Sequence, residues 1–124
     1  MLEFSRPPRE PDLEVELRLL PTESGGRAKA PWQGYRVPHD FGLPGEMNDG
    51  LYEFAGEPPA PGASQRAFVW LFAPERNHGR LEPGFEFSIW EGRNIGTGRV
   101  ICVLNAALAV AAQQVAPADG FAAR

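Results

Sequence analysis

The chain has 124 residues, a formal net charge of −4 from 12 basic and 16 acidic side chains, and 43% hydrophobic residues, eight Phe and three Trp among them. That is the size of one domain, able to bury roughly two-thirds of its unfolded surface without disulfides or metal, and too apolar for global disorder. The acidic balance disfavours non-specific binding to nucleic acid, DNA included, because that affinity comes largely from neutralising phosphates, and a single cysteine, Cys102, excludes an internal disulfide and leaves an oxidising compartment unsupported.

Residues 1–11 read as a loose arm. Pro7, Pro8 and Pro11 remove backbone donors and disfavour helix and central strand alike. No apolar signal core follows a basic start, so the expectation is a cytoplasmic protein. From Asp12 the pattern changes. Leu13, Val15, Leu17 and Leu19 alternate with Glu14, Glu16 and Arg18, the period of a strand with one buried face. Residues 22–30 form a polar loop around Gly25 and Gly26. Residues 31–41 are mixed, with Trp32 and Tyr35 strand-like and Pro31, Gly34 and Pro38 interrupting.

Residues 42–50 carry turn chemistry, ending in Asn48-Asp49-Gly50. Residues 51–54 are a short strand, and the prolines of 57–62 make a loop. The apolar run 67–73 fits a strand buried on both sides, or one edge-packed by Trp70. After a loop at 77–84, Phe85, Phe87 and Ile89 alternate with Glu86, Ser88 and Trp90. A turn at 91–94 leads into a last strand, 95–104, whose Gly96 and Gly98 signal a bulge or a close backbone approach. Residues 85–104 are therefore a hairpin. Several short strands with turn signals every 8 to 15 residues or so point to a sandwich or barrel. The Ala-rich segment 105–124 reads as a tail, either a short helix over 106–115 or disordered. The longest apolar stretch, 100–112, is broken by Asn105 and is shorter than the ~20 residues a bilayer requires, so no membrane partner is expected. The expected core is Val15, Leu17, Leu19, Phe68, Leu71, Phe87, Ile89, Val100 and Cys102.

Catalytic and cofactor signatures do not emerge. His39 and His78 are the only histidines, and His39 beside Asp40 reads as a loop histidine next to a turn rather than a ligand or base. None of the four serines lies in Gly-x-Ser-x-Gly. Gly92, Gly96 and Gly98 precede a strand rather than opening a helix with Lys-Ser/Thr, so they are turn and bulge glycines and no nucleotide is expected. No cofactor, metal or enzymatic activity is expected. Trp90 has the opposite parity to Phe85, Phe87 and Ile89. If those three are core, it faces outward, where an indole can anchor a protein partner or stack on a base.

The order of motifs adds to this. The charged strand at 12–20 leads into Gly25-Gly26-Arg27, then Pro31, then Gly34-Tyr35-Arg36. Much later comes Phe87-Ser88-Ile89-Trp90-Glu91-Gly92-Arg93-Asn94-Ile95-Gly96-Thr97-Gly98-Arg99-Val100, ending in Val103-Leu104. This series resembles the C-terminal β-barrel domain, domain III, of bacterial elongation factor Tu, over residues 12–104. The ends match specifically and 41–83 only loosely. The family has Arg-Pro-Gln where this chain has Arg36-Val37-Pro38-His39, and one glycine more after Glu91. No GTPase domain or phosphate loop accompanies the barrel.

The resemblance implies an all-β, six-stranded antiparallel Greek-key barrel as a stand-alone domain, with 1–11 as an arm and 105–124 as a tail. It implies a binding region at Gly25, Gly26, Arg27, Arg36, Trp90, Glu91, Gly92 and Arg93. In the family this domain meets protein partners and the T arm of aminoacyl-tRNA. The leading functional expectation is a non-catalytic protein-binding module. It would act as an adaptor or an antagonist, an immunity protein against a toxin aimed at the translation factor being one form. The alternative is an RNA- or tRNA-binding accessory of translation using Arg36, Arg93 and Arg99. An exposed basic stripe would favour the alternative, and internal pairing of those arginines would disfavour it. A third reading, a small enzyme or a sugar- or lipid-binding barrel, would show as a deep pocket lined by His39 or His78 and a carboxylate.

Overall fold

The computed structural model describes residues 4–110. Six strands form one closed barrel: β1 (Leu13–Leu19), β2 (Arg36–Asp40), β3 (Asn48–Phe54), β4 (Ser64–Leu71), β5 (Glu86–Trp90) and β6 (Asn94–Val103). Every pairing is antiparallel, and the strands run β1-β4-β3-β2-β5-β6 around the wall before β6 returns to β1. The only helical pieces among the described residues are 3-10 turns at Thr22–Ser24, Pro74–Asn77 and Ala106–Leu108.

The interior is filled by alternate residues of each strand. Leu13, Val15, Leu17 and Leu19 of β1 are fully buried, as the period of two requires. Val37, Tyr52, Phe54, Val69, Leu71, Phe87, Ile89 and Val100 join them. Two glycines make room for rings. A Cβ on Gly98 would lie 2.2 Å from Phe87 Cζ, and one on Gly50 would lie 2.7 Å from His39 Cε1. The glycines of β6 thus mark a close approach, with a register shift opposite them between Ile89 and Trp90.

Several expectations are corrected. Asn48-Asp49-Gly50 is the start of β3, not a turn, because it pairs with β2 through Val37↔Gly50 and His39↔Asn48. The Asn48 amide also acts as a surrogate strand partner, donating to Ala73 O (2.8 Å) and accepting from Ala73 N (3.1 Å). His39 lies in β2 and is wholly buried, not in a loop. Pro38 is tolerated beside it because β5 joins β2 only at His39↔Ile89 and Asp40↔Ser88, which leaves Pro38 with β3 alone as neighbour.

Phe68 and Cys102 leave the core list. On β4 the inward positions are Ala67, Val69 and Leu71, so Phe68 points outward and is only partly buried. Cys102 sits opposite Glu14 across a register shift in the β1–β6 ladder and is half-exposed. At the chain's far end, the backbone at Ala109 is extended (φ −70°, ψ 145°), so the turn begun at Ala106 does not propagate as the expected helix. Residues 111–115 of that helix, and the remaining tail to 124, lie outside the described residues.

Residues 4–11 are not a free arm. They cross the outer face of β3 and β4, and Asp12 anchors them. The buried Asp12 carboxylate accepts a forked pair from Arg9 (3.0 and 3.1 Å), the amide N–H of Leu71 (2.7 Å) and the side-chain amide of Asn105 (2.9 Å). Its carbonyl accepts from the N–H groups of Leu104 and Asn105. One carboxylate therefore holds the start of β1, the end of β4 and the exit of β6 together. Both its oxygens are satisfied, which is what makes its burial tolerable.

Candidate functional site

The two glycine turns singled out in the sequence meet at one end of the barrel. In the first, Gly25 has φ 97° and Gly26 is pressed against the chain, where a Cβ would lie 2.1 Å from Leu20 O. In the second, Gly92 has φ 75°. Only glycine adopts such a positive φ without strain or fits such a contact, so neither turn tolerates a side chain there.

The turns clasp each other with an arginine from each side. Arg27 pairs with the Glu91 carboxylate. Arg93 reaches back, donating from Nε to Gly25 O (2.7 Å) and from Nη2 to Gly26 O (3.3 Å). Tyr35 adds a third arm by donating its hydroxyl to Glu91. Burial first, then this bond to an anion, pushes the Tyr35 hydroxyl up from its ordinary range, so it stays protonated and remains a donor. Arg27 also lies over the rings of Trp32 and Tyr35, at 5.4 and 5.2 Å, and these two rings meet edge-on at 5.3 Å.

Six of the eight expected site residues are thereby brought together: Gly25, Gly26, Arg27, Glu91, Gly92 and Arg93. The other two are elsewhere. Arg36 pairs with Asp49 at 3.0 Å and stacks on Phe72 at 4.1 Å, on the outer wall. Trp90 does have outward parity, but its indole folds back to donate to Ser88 Oγ (2.8 Å) and is half-buried. The outward tryptophan at this end is Trp32, 57% exposed. In the sequence it is strand-like and one of three tryptophans able to anchor a partner or stack on a base, of which parity singles out Trp90 rather than Trp32. The Pro31-Trp32 position just after a glycine loop was the available signal.

The electrostatics follow from the pairing. Arg27 and Arg93 each commit donors to the clasp, and Arg99 pairs with Glu16 at 3.5 Å. With Arg36 held by Asp49, all four arginines of the candidate surfaces have internal partners. The barrel end presents outward the Trp32 indole, the Arg93 guanidinium and a carboxylate already shared between two donors.

The barrel interior carries one polar pair. His39 Nε2 is 2.7 Å from the Tyr52 hydroxyl and Nδ1 is 3.1 Å from Asn48 O. A neutral imidazole fits both partners: Nδ1–H donates to the carbonyl and Nε2 accepts from the tyrosine. Burial lowers the His39 pKa to about 4, against a weaker opposing effect of the Asn48 carbonyl. An open groove of about 670 Å3 is bordered by Arg18, Asp40, Phe85, Ser88 and Thr97 with neither histidine on its rim, and the depression that His39 does border, beside Glu46, has room for only about 10 Å3. Among the described residues no group of three or more His, Cys, Asp or Glu is placed to hold a metal ion, and no helix is long and apolar enough to cross a membrane. Against known proteins, no family model matches this chain, and no curated protein matches it either.

Proposed function

We propose that the protein is a non-catalytic binding module whose working surface is the clasped barrel end, with a protein as its partner. The observation that carries this reading is the pairing pattern. Arg27 is half-buried against Glu91, the exposed Arg93 is committed to the Gly25 and Gly26 carbonyls, and Trp32 is turned outward against Arg27 and Tyr35. Phosphate recognition needs cations free to face the ligand. Protein recognition favours a well-supported aromatic anchor. The residues forming the clasp are the ones that carry the resemblance to domain III of elongation factor Tu. The Greek-key barrel of that domain, and a role as adaptor or antagonist near the translation factor, belong to the same proposal.

The test is affinity capture of the tagged chain from its host lysate, before and after RNase, beside the Trp32→Ala chain. A stoichiometric protein that survives RNase and is lost with Trp32→Ala is the expected result. Enrichment of tRNA, with all protein partners lost after RNase, would replace this reading with the RNA accessory.

A further inference from the structure

A second surface carries a separate inference. On the outside of β3 and β4, Leu51, Phe68, Trp70 and Phe72 form an apolar strip that ordinary barrel walls leave to polar residues. Phe72 is 51% exposed, yet Trp70 is 2% exposed despite its outward parity. What covers Trp70 is the segment 4–11. Its Phe4 ring stands 6.4 Å from the Trp70 ring and occupies a slot that exists because residue 34 is glycine: a Cβ there would lie 2.9 Å from Phe4 Cδ1. Arg6 lies over Phe68 and Trp70, at 5.8 and 5.5 Å, and pairs with Glu53 at 2.8 Å. The Trp70 indole N–H donates to the carbonyl of Arg9 at 2.8 Å.

This is how aromatic-lined surfaces hold proline-bearing peptides. Side chains enter slots, an indole N–H caps a carbonyl, and prolines keep the peptide from pairing as a strand. Segment 4–11 makes no strand ladder with the barrel, and the Arg6–Glu53 pair is partly open to solvent. Open depressions remain on both sides of the segment, one of about 360 Å3 bordered by Glu14, Glu53 and Arg66, the other of about 270 Å3 bordered by Leu51 and Phe72. Glu53 supplies the charge that an arginine-bearing ligand requires, Glu14 being paired with Arg66.

We infer that the outer face of β3–β4 is a docking groove for an extended peptide carrying an aromatic residue and, two positions on, an arginine followed by proline, and that residues 4–8 occupy it in cis as a displaceable stand-in. Asp12 and Arg9 hold the base of the segment, so displacement frees Phe4 and Arg6 while the barrel stays closed. The surface adjoins the clasped barrel end through Gly34, next to Tyr35, and shares none of the clasp's side chains.

The test uses the full chain, with a fluorescein-labelled peptide of the sequence of residues 4–11 and anisotropy as readout. The chain carrying Phe4→Ala and Arg6→Ala has an emptied groove and binds the peptide at least tenfold more tightly than the unsubstituted chain. Adding Glu53→Arg to the emptied chain abolishes binding with the circular-dichroism melt retained. Equal or no binding by the first two chains, both folded, overturns the inference and makes the segment a fixed part of the wall. Sedimentation distinguishes a second copy as the occupant. If the unsubstituted chain forms a dimer that Phe4→Ala and Arg6→Ala abolish, exchanged segments fill the groove and the partner assignment is overturned.

Discussion

His39 shows what a buried titratable side chain does to a small barrel. Unfolded, it titrates near 6.5; folded, it titrates at about 4 because burial penalises the imidazolium. The unfolded state therefore binds the extra proton between those two values. Stability from this group is fully present above about pH 6.5 and is lost as pH falls toward 4, by about 3 kcal/mol in all. Melting temperatures across that range, compared with those of His39→Leu, should show the substituted chain with the shallower slope. Asp12 is a second buried polar side chain, its carboxylate held by Arg9, Leu71 N–H and Asn105. Asp12→Ala orphans the buried Leu71 amide and leaves Arg9 with backbone carbonyls alone, and urea unfolding should register a loss of about 2–3 kcal/mol.

At the scale of elements, β1 was legible because strict alternation of Leu13, Val15, Leu17 and Leu19 with charges admits one structure. β4 was less so. Its run of apolar residues hides the period, and Phe68 is apolar for a reason outside the strand, namely the cover that Arg6 provides. The start of β3 was misread because Asn-Asp-Gly suits a turn locally, while the pairing of Asn48 with Ala73 that overrides it is tertiary. Both glycine turns were legible as turns. That they grip each other was not, since Arg27 and Glu91 are 64 positions apart. Gly98 packs against a ring with no room for a side chain. Gly98→Ala drives a methyl into Phe87 and should lower stability by about 1–3 kcal/mol. Gly56→Ala meets only the flexible end of Gln65 and should stay within ~0.5 kcal/mol, with thermal melts reading both.

For the whole molecule, charge is distributed in local pairs rather than pooled. Glu14 and Glu16 on β1 face Arg66 and Arg99 on its two neighbours, and the barrel end closes on Arg27–Glu91. A partner engaging Trp32 through apolar contact should therefore bind with little dependence on salt. Its dissociation constant should change less than about tenfold between 50 and 200 mM, whereas a ligand held by six or more phosphates would weaken at least about a thousandfold. Titration of the captured partner at the two concentrations decides between these outcomes.

The Asp12 anchor has one more consequence, for how the barrel is made. It joins residues 93 positions apart, beside the ladder where the first strand meets the last. Contacts so distant in sequence are slow to form, which places closure late in folding. A nascent chain cannot seal its sheet until β6 has left the ribosome, so β1 waits with both edges unpaired until β4 emerges and with one until β6 does. Charged residues at Glu14, Glu16 and Arg18 along that waiting edge are the natural guard against its pairing with the wrong strand.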